Sequence, residues 1–153
     1  MKRKLLLINP ALTSPTGRRR LSVAGLATME PLGLAYVAAL TPSGWDVYIV
    51  DEVAEEIPRD FRPDLVGLTS LTPTAPRAYE IASGFRAQGV PVVMGGMHAT
   101  LCPGEAARYV DVVFCGEAEG AWPRRPSRGG RLRCAVRGAP GATRAILRRP
   151  PSR

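Results

Sequence analysis

Hydrophobic positions along the chain fall into short dense runs separated by stretches of helical spacing. Residues 4–8, KLLLI, are a compact apolar run that stops at Asn9-Pro10, as a buried strand does where it leaves a sheet. From Pro31 the stretch PLGLAYVAAL sets Leu32, Ala35, Tyr36 and Ala39 at helical spacing, with proline suited to the first turn and TPSG closing it. DVYIVD (46–51) and DLVGLTS (64–70) read as the second and third strands, with one further turn of helix over 53–57. PRAYEIASGFRAQG then puts Ala78, Ile81, Ala82 and Phe85 on one helical face and ends on Gly89, a residue suited to a helix C-terminus. PVVM (91–94) supplies strand four, PGEAARYV (103–110) a short helix and DVVFCG (111–116) strand five.

Strands that are apolar throughout and alternate with helices predict an α/β fold, a parallel sheet of five strands covered by helices on both faces. Ligands of such sheets bind outside the carboxyl ends of the strands, near the point where strand order reverses. Four loops leave on that side: NPALTSPTG, SLTPTAP, GGMHAT and GEAEG. None contains a GxGxxG run or a P-loop, so neither a dinucleotide fingerprint nor a phosphate cradle is indicated. They offer the hydroxyls of Ser70, Thr72 and Thr74, and backbone open to close approach at Gly95, Gly96 and Gly116. That combination suits a large ligand threaded between loops; the blander alternative is a simple turn and helix-capping hydroxyls.

Charge sharpens the division of the chain. The formal net charge is +8 over 153 residues. Residues 1–122 carry 11 basic and 13 acidic side chains, whereas residues 123–153 carry 10 arginines and no acid. The basicity therefore belongs to the tail, and the near-neutral remainder is not a nucleic-acid surface. Five prolines and four glycines among those 31 residues leave too little to bury, which predicts a domain over 1–122 and a disordered tail over 123–153. Asp51, Glu52, Glu55 and Glu56 form an acidic run expected on the solvated surface, and the basic loop Arg18–Arg20 is likewise expected to be exposed. Cys102, Cys115 and Cys134 match neither a metal clip nor a disulfide framework; the first two are expected to be buried or semi-buried thiols. No run approaches the length of a membrane span, and LLLI is too short for a signal-peptide core, so a cytoplasmic protein is expected. One histidine and no paired acids on a helix face give no basis for independent catalysis.

EPLGLAYVAAL, GWDVYIVD, DLVGLTSLTPTAPRAYEIA, PVVMGGMHAT and DVVFCGEAEGAWP, taken in that order, resemble the cobalamin (vitamin B12)-binding domain at the N-terminus of many radical S-adenosylmethionine (radical SAM) enzymes. The resemblance runs from Lys4 to about Trp122 and implies a flavodoxin-like, Rossmann-like five-stranded sheet with cobalamin as cofactor. In that family the corrin lies over the carboxyl ends of the strands and the nucleotide tail enters a groove beside the sheet. Carried over by position, Ser70, Thr72 and Thr74 match the hydroxyl loop of the tail pocket, Gly95 and Gly96 the glycine pair where a Cβ would intrude, and Gly116 with Glu117 the loop closing the other side. The His-ligated branch places a DxHxxG motif after strand one; NPALTSPTGRRR has neither its Asp nor its His. His98 is accordingly expected as a polar contact of the loop after strand four, not as a cobalt ligand.

The radical enzymes continue into a catalytic barrel with a CxxxCxxC iron–sulfur motif, and no such motif occurs in these 153 residues. The break at Pro123 has the Arg/Pro/Gly/Ala mixture of out-of-frame GC-rich codons, which predicts a frameshifted or truncated reading frame; the rival is a basic arm for nucleic acid or an acidic partner. A separate radical SAM domain would then be the catalytic partner. A receiver-like domain of the same architecture is disfavoured, since it wants acids after strand one and a lysine after strand five, where Asn9-Pro10 and Gly116-Glu117 stand.

Overall fold

A run that is hydrophobic at every position can bury both of its faces only between two layers, and each such run forms a strand of one central sheet. The computed structural model describes residues 2–13, 31–117 and 122, and the backbone of 144–147. Strands β1 (Arg3–Asn9), β2 (Trp45–Asp51), β3 (Leu65–Thr69), β4 (Val92–Gly95) and β5 (Val112–Cys115) run parallel in the spatial order 2-1-3-4-5. This is the expected flavodoxin-like arrangement, with strand order reversing between β1 and β3.

A sixth strand, β6 (Arg144–Leu147), pairs antiparallel with β5, from Val112↔Leu147 to Cys115↔Arg144. These four residues fall in the segment expected to be disordered and are instead paired. The outer edge of β5 exposes a row of backbone donors and acceptors, which the backbone of 144–147 takes up. The remainder of 123–153 and the Arg18–Arg20 loop lie outside the described residues.

Strand pleating divides the core in two. Leu6, Ile8, Val66, Leu68, Val92, Met94 and Val113 face one side and pack under α2 (Ala75–Ala87), α3 (Met97–Leu101) and α4 (Pro103–Ala106). Leu5, Leu7, Leu65, Val93, Val112 and Phe114 face the other, under α1 (Leu32–Leu40). Helix α2 buries the four residues its spacing indicated, together with Ala75 and Tyr79. Helix α1 does the reverse of what its spacing suggested: Leu34 is buried and Val37 and Ala38 pack on the core, while Leu32 is 70% and Tyr36 50% exposed. Its sequence is apolar nearly all round, so periodicity selects no face and the position of the helix over the sheet decides.

Three further expectations change. The segment 103–110 is helical only to Ala106 and then turns, the stretch 53–57 makes turns on the Asp51 carbonyl instead of a helix, and α3 replaces an expected loop. The acidic run is not wholly solvated. Glu52 is 1% exposed, accepting hydrogen bonds from Ala11 N at 3.2 Å and from Arg77 Nε at 3.1 Å and Nη2 at 2.6 Å. Its partner stands 25 residues away in α2, a pairing no local pattern reveals. The hydrogen bond to Glu52 holds the Arg77 guanidinium protonated beyond even its ordinary range. Among the described residues no helix is long and apolar enough to cross a membrane.

Candidate functional site

Helix α1 does not close over its face of the sheet. Pleating points Leu7, Gly67, Thr69, Val93, Gly95 and Phe114 the same way, with Leu7 beside Gly67, Gly67 beside Val93 and Thr69 beside Gly95. Two of these six positions have no side chain. A groove of about 440 Å³ therefore remains between the strands and Leu34, Tyr36 and Val37 of α1, within the roughly 300–1,000 Å³ range of small-molecule sites. Met97, Thr100, Leu101, Gly116 and Glu117 surround its mouth at the carboxyl ends of the strands. Trp122 lies at the inner end, its ring 4.0 Å from where a Cβ on Gly67 would stand and its indole N–H donating to Thr41 Oγ1 at 2.8 Å. A Cβ at Gly67 would also come within 2.7 Å of Leu7 Cδ2, the close approach that a glycine inside a strand marks.

Of the eight residues singled out from sequence, Gly95, Gly96, Gly116 and Glu117 line this groove, while Ser70, Thr72, Thr74 and His98 stand behind or beside its mouth. The two adjacent glycines differ in kind. Gly96 has φ of +93°, and a Cβ there would lie 2.7 Å from Thr69 Oγ1 and 2.9 Å from the Ser70 backbone N and O, so the chain's own packing demands glycine. Gly95 would meet only Phe114 Cβ, at an ordinary 3.7 Å, and its missing side chain is room left in the groove.

Ser70 is 3% exposed; its N–H donates to Gly95 O and its carbonyl accepts from His98 N, but its hydroxyl has no partner. Thr74 Oγ1 is spent on Leu71, accepting from its N–H and donating to its carbonyl, and so closes the turn at Thr72–Thr74. Thr72 Oγ1 lies 3.3 Å from His98 Nδ1. His98, in the first turn of α3, is 3% exposed, with Nε2 2.9 Å from the Tyr79 hydroxyl and 3.7 Å from Glu105 Oε1. Burial, reinforced by Glu105, pushes the Tyr79 hydroxyl well above its ordinary range and keeps it neutral. His98, Cys102 and Glu105 bring ligand atoms within 4.8 Å of one another, yet both ring nitrogens already have hydrogen-bond partners, and the set reads as a satisfied polar cluster tying α2 to α3. Cys102 and Cys115 form no disulfide with each other and are semi-buried, as expected.

Sequence reasoning missed Gly67, Thr69, Phe114 and Trp122. The first three carry a usable signal: strand pleating places them on the same face as Gly95, once the register is known. Trp122 carries none, because it lies beyond the last predicted strand.

Among protein families, the sequence model of the B12 binding domain matches residues 23–124, more than half of the chain. The chain belongs to the B12 binding domain family. This B12-binding domain is 42% identical over 92 residues to bacteriochlorophyllide d C-8(2)-methyltransferase of Chlorobaculum tepidum, a match covering 60% of the chain and 20% of that protein. It is 37% identical over 113 residues to bacteriochlorophyllide d C-12(1)-methyltransferase of the same organism, covering 72% of the chain and 25% of that protein. An uncharacterised methyltransferase of Pyrococcus horikoshii is 36% identical over 129 residues, covering 76% and 27%. The chain spans about a quarter of the length of the curated relatives it matches.

The residues present fit the cofactor this family is named for. An apolar slot opened by Gly67 and Gly95 admits a flat ring system, and Thr69 sets a hydroxyl at its mouth.

Proposed function

We propose that this domain holds cobalamin with the nucleotide tail in the groove under α1 and the corrin over the carboxyl ends of β1, β3, β4 and β5. The observation that carries the reading is the groove itself, which exists because Gly67 and Gly95 stand where their strand neighbours carry large side chains. Gly95 leaves the slot open, Gly96 and Gly116 turn the backbone at its mouth, both at positive φ, and Ser70 ties β3 to β4 there through its N–H on Gly95 O. Thr72 and Thr74 shape the loop that carries Ser70, and His98 holds that loop from behind through Thr72 and the Ser70 carbonyl. Glu117 stands at the mouth, where the corrin periphery would pass. With both ring nitrogens engaged on the α2 side, His98 is a positioning residue and not a cobalt ligand.

Bound cobalamin supplies a cobalt centre competent for methyl-group transfer, and the chain's residues bind and orient it. The similarity to methyltransferases supports methyl transfer as the functional setting, while a cytoplasmic location and a separate radical SAM catalytic domain are what the family resemblance implies. A visible-absorption titration with hydroxocobalamin, followed by gel filtration, tests the reading. Corrin colour should elute with the unmodified chain, and Gly95→Leu, which fills the slot without touching Gly96, should weaken binding at least about tenfold. Free cofactor separating from a folded unmodified chain would overturn it.

A further inference from the structure

Apart from the Tyr36 hydroxyl on the α1 wall, the polar side chains of the groove lie towards its mouth. Thr69, Thr100 and Glu117 lie at the carboxyl ends of the strands, whereas two residues deeper the walls are Leu7, Val93, Val37 and Gly67. Two residues along a strand are about 7 Å, roughly the long dimension of a two-ring heteroaromatic base. At that depth Trp122 closes the slot. Its indole packs on Phe114 with ring centroids 5.6 Å apart, and its only donor is already committed to Thr41, whose own hydroxyl donates to Val37 O. No side-chain hydrogen-bonding group among the described residues is left at the inner end, so what enters last meets an aromatic face and aliphatic carbon.

We propose that Trp122 is the end-stop of the groove and selects among corrinoids by the lower base, favouring one with an apolar outer edge, such as dimethylbenzimidazole, over a purine such as adenine. The inference rests on the cobalamin reading. An adenine seated at the same depth would bring its exocyclic amine and ring nitrogens against Trp122 and Leu7 with nothing to satisfy them, which is the condition under which a buried polar group is rejected. Removing the indole opens the inner end to water from the flank of α1 and withdraws that discrimination.

The test is equilibrium binding to the full chain, read by corrin absorbance and protein fluorescence, with three probes: cobalamin, the corrinoid carrying adenine as lower base, and cobinamide, which has no nucleotide tail. The unmodified chain should prefer cobalamin over the adenine corrinoid by about tenfold or more. Trp122→Ala should bring the two within about threefold. Trp122→Phe, which keeps an aromatic end wall, should retain most of the preference. Cobinamide, which does not reach the inner end, should bind all three proteins equally. Absence of a preference in the unmodified chain overturns the inference, whether or not the alanine variant folds. An unchanged preference in Trp122→Ala overturns it too, as does a parallel loss of cobinamide binding. Failure of the unmodified chain to bind any of the three probes overturns the cobalamin reading itself, whereas tight binding without selection removes only the role of Trp122.

Discussion

The two faces of the sheet are built from the same five strands and end up with opposite characters. On the α2 side every inward position of the central strands is filled: Leu6 and Ile8, Val66 and Leu68, Val92 and Met94. Even the ionisable groups there are partnered, Glu52 by Arg77 and His98 by Tyr79 and Thr72. On the α1 side the positions one residue over read Leu7, Gly67, Val93 and Gly95, and α1 rests on the sheet through little more than Leu34, Val37 and Ala38. One face is a core and the other is a core with two side chains left out. Pleating lets both be encoded in strands of four to seven residues, because a glycine facing one side empties that side without touching the other.

The contrast is broken most severely from the closed side. Arg77→Met would leave the Glu52 carboxylate, 1% exposed, without its bidentate partner, and removing one member of a buried ion pair costs about 3–5 kcal/mol. Chemical denaturation should show a loss of that size, and the double variant Arg77→Met, Glu52→Leu should recover much of it. A loss below about 1 kcal/mol would mean that the pair is no more than a surface contact.

The glycine pair sharpens the same contrast within two residues. Gly96→Ala puts a Cβ against the Ser70 backbone at 2.9 Å on a φ of +93°, and strain of that kind costs about 1–3 kcal/mol before any clash is relieved. Gly95→Ala meets nothing closer than 3.7 Å and should change stability by less than about 1 kcal/mol while narrowing the groove. Thermal melts should therefore separate the two, with cobalamin affinity reduced in the variant that remains stable. Equal melting temperatures would show that the pair is one turn with one purpose.

How much of this was legible in the sequence follows from the range of each interaction. The five strands and α2 were readable because their signals lie in adjacent residues, apolar runs such as KLLLI and the Ala78–Ile81–Ala82–Phe85 stripe. Helix α1 existed as expected, but its buried face did not follow from PLGLAYVAAL, since a helix apolar on all sides is oriented only by what it packs on. The groove is half legible: GG after strand four marks it, whereas Gly67 in the middle of DLVGLTS takes its meaning only from Leu7 and Val93 in neighbouring strands. Nothing local marks Glu52 as buried, because the charge that partners it arrives from Arg77, and nothing local marks β6 as a strand, because pairing to an edge is decided by the edge.

The smallest expected effect concerns the polar cluster that joins α2 to α3 on the closed side. Burial, and secondarily the hydrogen bond with Glu105, raises the Tyr79 hydroxyl above the ordinary tyrosine value of about 10. Between that value and the raised native one, the unfolded chain has released the proton and the folded chain has kept it. Stability from this source is therefore complete below about pH 10 and is lost as the pH rises beyond it. At neutral pH, Tyr79→Phe should cost about 1 kcal/mol through the lost bond to His98 Nε2, at 2.9 Å. Above about pH 10 the unmodified chain should lose melting temperature faster than the phenylalanine variant, the other three tyrosines being common to both. Parallel slopes would place the Tyr79 hydroxyl in water, and the closed face would then share the solvent access of the open one.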